Sequence, residues 1–230
     1  MDRTRQIRFV LKPLLFVACL IPFALIVADI FGLGGTLGAN PIEELQDRFG
    51  NWGLRFIMIA LTVTPLRILS GQNWLARFRR MLGLFAFFYA LMHFLTWLVL
   101  DQEFRLAAIA EDIFERPFIT IGFAAFLILL ALAATSTAGL RRRLGKRWQQ
   151  LHYGIYAAGI LGVWHYWWQV KKDFTEPLIY AAVLALLLGY RIARQRRKNK
   201  ARKPAAAAPG SSRAPLGHPL ASGERTSGSA

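Results

Sequence analysis

The sequence predicts an all-α membrane protein: a six-transmembrane-helix bundle with both termini cytoplasmic. Three observations predict it. Of 230 residues, 55% are hydrophobic, and they gather in runs nearly free of Lys and Arg. Several of these runs approach the roughly 20 residues that a membrane-spanning helix needs. The formal charge of +16 sits in short stretches between and after the runs, and those stretches fall on one side of a membrane only if the span count is even.

The spans follow in order. The first, Pro13–Phe31, comes after a basic N-terminus, residues 1–12, with Arg3, Arg5, Arg8 and Lys12. A signal peptide is the competing reading of this run, because a basic start precedes an apolar middle and Phe16-Val17-Ala18-Cys19 faintly resembles a lipoprotein cleavage site. Against it, the apolar run continues past Cys19, and cleavage would spoil the charge alternation. The second span is Gly53–Ser70, followed by Arg77, Arg79 and Arg80; the third is Met81–Leu100. The fourth, Pro117–Ala138, ends in Thr135-Ser136-Thr137, hydroxyls suited to satisfying backbone groups there. After it come Arg141, Arg142, Arg143, Lys146 and Arg147. The fifth is Gln150–Val170, flanked by Trp148, Trp164, Trp167 and Trp168, which read as interfacial anchors. The sixth, Pro177–Tyr190, is short unless it runs on through Ile192.

The opposite side carries Glu43, Glu44, Asp47, Asp101, Glu103, Glu111, Asp112 and Glu115 with few bases. The positive-inside rule therefore places both termini in the cytoplasm. The basic stretch Arg191–Lys203 is expected against anionic lipid headgroups; no motif or aromatic context supports nucleic-acid binding. From Pro204 the chain is rich in Ala, Pro, Gly and Ser, and residues 196–230 are expected to form a basic, then disordered tail that includes His218. Little soluble chain remains beside the spans, 13–195, so a nucleotide-binding or catalytic domain would have to come from a partner. The single cysteine, Cys19, excludes a disulfide framework or a Cys-ligated cluster within one chain. No CxxC, HExxH or phosphate-cradling glycine loop occurs.

Three histidines, His93, His152 and His165, lie in apolar runs. Ionisable side chains inside a membrane are costly and usually functional, and imidazole is a common haem ligand. His93 is twelve residues into the third span and His165 fifteen into the fifth, so at about 1.5 Å per residue they sit at similar depth in the outer half. Two such imidazoles on neighbouring helices are placed to clamp one iron atom. Gly83, Ala86 and Ala90 share a helical face with His93, and Gly154, Ala158 and Gly162 share one with His165. Such stripes suit a flat macrocycle; they are equally ordinary packing surfaces between membrane helices. His152, thirteen residues before His165, points about 140° away from it on an ideal helix and belongs to the inner side. Two readings remain for it: a second haem or cofactor contact, or an interfacial histidine bonded to headgroups, a semiquinone or a flavin. The matching inner position on the third span, near Arg79 and Arg80, offers no histidine.

The stretch Leu144-Gly145-Lys146-Arg147-Trp148-Gln149-Gln150-Leu151-His152 resembles a signature of the MsrQ family, haem-binding membrane subunits of bacterial periplasmic methionine-sulfoxide reductases. The resemblance covers roughly residues 10–195. It includes Thr64-Pro65-Leu66, Arg79-Arg80-Met81-Leu82-Gly83-Leu84, Arg116-Pro117-Phe118 and Pro177-Leu178-Ile179-Tyr180 in the same order. The wider group is the ferric-reductase-like transmembrane domain, whose members stack two haems with two histidines on each of two helices. This chain has three of those four.

The resemblance implies an electron-transfer subunit in the bacterial inner membrane, with haem b (one, or two) held by His93 and His165. Electrons would come from membrane quinol or a cytoplasmic flavin reductase. They would go to MsrP, a periplasmic molybdopterin catalytic subunit that repairs oxidised proteins. The resemblance also implies FMN, which no residue pattern here locates. The acidic outer loops Asp101–Glu115 and Glu43–Asp47 have two readings, docking surfaces for the partner or simple topology, because outer loops lack Lys and Arg for insertion reasons. Competing functions are a stand-alone ferric reductase, for which the tail is too short to supply a flavin and nicotinamide domain, and a non-redox transporter or assembly factor.

Overall fold

The computed structural model describes residues 3–170 and 172–206. All regular structure among them is helical. The chain divides into one unit, Met1–Ile192, and a second, Ala193–Ala230; the first holds every site discussed below. Its helices are α1 (Arg3–Gln6), α2 (Lys12–Ile30), α3 (Pro41–Leu69), α4 (Arg79–Leu95), α5 (Leu106–Glu115), α6 (Pro117–Ala134), α7 (Ala138–Leu144), α8 (Lys146–His152), α9 (Gly154–Gln169) and the start of α10 (Thr175–Ala206). A π-turn, Ile7–Leu11, joins α1 to α2, and another, Thr96–Asp101, extends α4.

Five helices among the described residues are long and apolar enough to cross a membrane: Thr4–Ile30, Pro41–Leu69, Arg79–Asp101, Pro117–Ala134 and Thr175–Lys200. With apolar side chains such as Leu14, Val17, Ile21 and Leu25 facing outwards, the chain is a multi-pass membrane protein. The expected fifth span is the exception. It is broken at Tyr153, leaving α9 with 16 residues, about 24 Å of helix.

Other boundaries differ from expectation. The first span already begins at Thr4 and the fourth ends at Ala134, but the larger changes are in the second and the sixth. The second span begins at Pro41 rather than Gly53. Asn40 accepts a hydrogen bond from the Glu43 N–H (3.4 Å), Pro41 opens the helix, and Glu43 and Glu44 occupy its first turn, where the helix dipole favours carboxylates. Glu43–Asp47 is thus helix and not loop. At the other end, α10 continues to Ala206, through the basic stretch 196–203 and into the first three residues, 204–206, of the segment expected to be disordered. Residues 207–230, with His218, lie outside the described residues.

The strongest packing pairs α3 with α4 and α6 with α9; α4 also packs on α6, and α3 on α9. An aromatic cluster fills the α2–α3–α4 side: Phe56 stacks on Tyr89 at 5.1 Å, and Phe23 meets Phe88 edge-on at 5.2 Å. Tyr89 is fully buried. Its hydroxyl donates to the Cys19 carbonyl (2.8 Å) and accepts from the Phe23 N–H (3.0 Å). It thus inserts into the backbone ladder of α2 beside Pro22, which lacks an N–H of its own. Pro65 in α3 likewise removes the donor that would serve the Leu61 carbonyl. The Arg191 guanidinium supplies one instead, through Nη2 at 2.9 Å, and also bonds the Tyr156 hydroxyl.

Candidate functional site

Between the α3–α4 and α6–α9 pairs lies a cavity of about 520 Å³, in the size range of cofactor sites. His93 and His165 both line it. Their ring centroids are 6.0 Å apart and their planes are inclined at 74°. His93 donates from Nδ1–H to the Gln46 carbonyl at 2.8 Å, and His165 from Nδ1–H to the Phe118 carbonyl at 2.7 Å. A carbonyl only accepts, so each bond assigns the proton to Nδ1 and leaves the Nε2 lone pair free. This is the second-shell arrangement that orients metal-binding imidazoles.

Each carbonyl sits one helical turn before a glycine. A Cβ on Gly50 would lie 3.0 Å from Nδ1 of His93, and one on Gly122 only 2.8 Å from Nδ1 and Cε1 of His165. Glycine is what lets each ring reach the backbone of the facing helix. The two halves of the site repeat. Phe118, Gly122 and His165 each follow Gln46, Gly50 and His93 by 72 residues, and each His follows its carbonyl by 47. Among cavity-lining residues the same offset carries Gly53 onto Ala125, Leu54 onto Phe126, Ile57 onto Leu129 and Ala90 onto Gly162. Gly50 and Gly122 were not among the expected site residues; comparing the sequence with itself at this offset would have exposed them.

The repeat sorts the expected small residues. Ala90, Ala158 and Gly162 line the cavity. Ala86, the counterpart of Ala158, is fully buried in the helix packing instead. Gly83 falls off the repeat, since Leu82 is the counterpart of Gly154, and a Cβ on Gly83 would meet nothing within 4 Å. Gly154 admits Ile128 of α6, whose Cγ2 would lie 3.1 Å from an added Cβ.

His152 is not brought to this cavity. It ends α8, on the far side of the break at Tyr153, so a single ideal helix does not set its angle to His165. Its ring stacks on Trp148 at 3.8 Å, and Nδ1 bonds the Trp148 carbonyl at 3.0 Å. Trp148 in turn donates from Nε1 to the Thr135 carbonyl (2.9 Å), tying α8 to the end of α6. The His152 Nε2 is buried without a hydrogen bond, although the Leu132 carbonyl lies nearby. The repeat carries His152 back onto Arg80, so the inner position is not duplicated.

The donor set fits a haem. Two imidazoles on one metal atom need ring centres about 6 Å apart, given bonds of about 2 Å on each side and about 1 Å from nitrogen to ring centre; the observed 6.0 Å meets this. No three His, Cys, Asp or Glu side chains converge among the described residues. The two imidazoles would leave the remaining positions of a metal open, as the four in-plane nitrogens of a haem require. At the polar end, Arg116 and Trp97 line the cavity, and the Trp97 Nε1–H is buried without a partner. Both are donors suited to a carboxylate.

Fold and site define a multi-pass membrane protein with paired imidazoles between two helix hairpins. A family model described as ferric reductase like transmembrane component matches residues 49–163. The chain is 52% identical over 187 residues to the protein-methionine-sulfoxide reductase heme-binding subunit MsrQ of Bordetella pertussis, covering 80% of this chain and 89% of that protein. To MsrQ of Xanthomonas oryzae pv. oryzae it is 46% identical over 211 residues, 89% of this chain and 97% of the other. To MsrQ of Ralstonia nicotianae it is 51% identical over 176 residues, 75% and 80% of the two chains. The chain belongs to the MsrQ family, within the ferric-reductase-like transmembrane proteins.

Proposed function

We propose that this chain is the haem b electron-transfer subunit of a periplasmic methionine-sulfoxide reductase, with His93 and His165 as the two axial ligands. One observation carries the reading: two Nδ1–H groups anchored on facing backbone carbonyls, with ring centres 6.0 Å apart in one cavity. The relatives' names, heme-binding subunits of that reductase, support it. A haem b would supply a one-electron iron couple within the membrane. The chain's part is to fix both imidazoles in one tautomer, to surround them with Leu54, Phe94, Phe126 and Leu129 so that water is excluded, and to offer Arg116 and Trp97 as donors to the propionates.

In this reading α9 is the fifth of six spans, both termini are cytoplasmic, the membrane is the bacterial inner membrane, and the cavity opens outwards. Electrons come from membrane quinol or a cytoplasmic flavin reductase and leave to the molybdopterin catalytic subunit MsrP. His152, with its buried and unpartnered Nε2, serves a second cofactor on the inner side, a second haem or the FMN of the family. The test is a reduced-minus-oxidised spectrum of detergent-purified protein. His93→Ala and His165→Ala should each abolish the outer b-type signal, and His152→Ala should leave it. An intact signal in both of the first two variants would sink the ligand assignment.

A further inference from the structure

Between the cavity-lining residues Asp101 and Arg116 the chain makes an excursion whose polarity is inverted. Its helix α5 faces inwards with Asp112, which is buried. The Asp112 carboxylate accepts from the Gln102 side-chain amide at 2.8 Å and from Arg116 Nε at 3.1 Å. The opposite face carries Leu106, Ala110 and Phe114, four residues apart and so one above the other. Leu106 is 79% and Phe114 85% exposed. Just before α5, Phe104 adopts a left-handed φ of 57° and is 57% exposed, a backbone conformation unfavourable for a bulky residue. Glu103, Glu111 and Glu115 are exposed beside this face, against one exposed base, Arg105, and Arg116, which is paired with Asp112. The buried polar anchor thus holds an apolar, acid-flanked ridge outwards at the mouth of the cavity.

We propose that this ridge, Phe104, Leu106, Ala110 and Phe114, is the docking surface for the soluble catalytic subunit that receives the electrons, entering an apolar pocket with a basic rim. The inference rests on the proposed electron-transfer function. Charge decides between a protein and the lipid surface. Helices that lie on membranes flank their apolar face with Lys and Arg, whereas Glu111 and Glu115 here would repel anionic headgroups and steer a basic partner. Position agrees, because a partner seated on α5 touches the segment that carries Arg116 into the cavity.

The test uses the full chain in nanodiscs of phosphatidylethanolamine and phosphatidylglycerol. A nitroxide is attached at Phe114→Cys in a Cys19→Ala background. The label should be open to a water-soluble relaxant, then become shielded when the purified catalytic subunit from the same bacterium is added. Phe114→Asp and Glu111→Lys should each slow electron delivery to that subunit at least tenfold with haem absorbance unchanged. A label open to oxygen but closed to the water-soluble relaxant before any addition would show a lipid face and overturn the proposal. So would a label still open at saturating catalytic subunit. The spectrum of the same sample reads the haem separately, so absence of haem with shielding intact would sink the electron-transfer reading and leave the docking face standing.

Discussion

Gly122→Ala tests the site at its tightest point. The new methyl carbon would lie 2.8 Å from Nδ1 and Cε1 of His165 and 3.1 Å from Cγ. Ordinary contacts between such atoms are about 3.5–4.0 Å, so the ring must retreat by about 0.7–1 Å. The Nδ1–H bond to the Phe118 carbonyl, 2.7 Å long, would then stretch beyond about 3.4 Å, past useful hydrogen-bond length. Loss of a second-shell bond of this kind weakens metal binding about 10–100-fold, or about 1.4–2.7 kcal/mol. The assay is haem titration of the purified apoprotein, followed by its Soret absorbance. Gly50→Ala, where the nearest His93 atoms are 3.0 and 3.2 Å away, should weaken binding less. Gly83→Ala, which meets nothing within 4 Å, should leave it unchanged. Wild-type affinity in Gly122→Ala, or equal losses in all three variants, would refute the reasoning.

Three further outcomes concern the scaffold. Arg191→Leu should destabilise the protein by about 1–3 kcal/mol, because it strands the Leu61 carbonyl. Adding Pro65→Ala restores a backbone donor to that carbonyl and should recover part of the loss in a detergent-melting double-mutant cycle. Tyr89→Phe removes both hydroxyl bonds to α2, and should lower the melting temperature with haem absorbance intact. Arg48→Met breaks the ion pairs to Asp29 (2.5 Å) and Glu44; both are partly exposed, so the loss should stay within about 1 kcal/mol and show as faster proteolysis of the Phe31–Asn40 connection.

Span-level architecture was legible because membrane insertion is governed by local composition. Five of the six expected runs coincide with long apolar helices, with ends displaced by up to twelve residues. The largest displacement, at Pro41, was readable from the Asn40 cap and the acidic first turn; counting apolar residues alone hid it. The break at Tyr153 was less legible, since neither Tyr153 nor Gly154 forbids helix by itself. Depth arithmetic paired His93 with His165 because helical rise is nearly constant. The small-residue stripes were a weaker guide. Spacing says which residues share a face but not which helix that face meets, so Ala86 and Gly154 serve packing while Ala90, Ala158 and Gly162 line the cavity.

The sequence by itself determined that this chain is a multi-pass membrane protein, which of its runs form helices long and apolar enough to cross, and that two histidines on separate helices pair by depth. These follow from hydropathy and helical rise, which act over one element at a time. Only the tertiary structure decided how the rings are held. The Gln46 and Phe118 carbonyls belong to helices 47 residues upstream of the histidines they orient, and Gly50 and Gly122 matter solely because those helices pack against α4 and α9. Contacts between distant elements fix tautomer, ring separation and cavity together, and no local pattern encodes them.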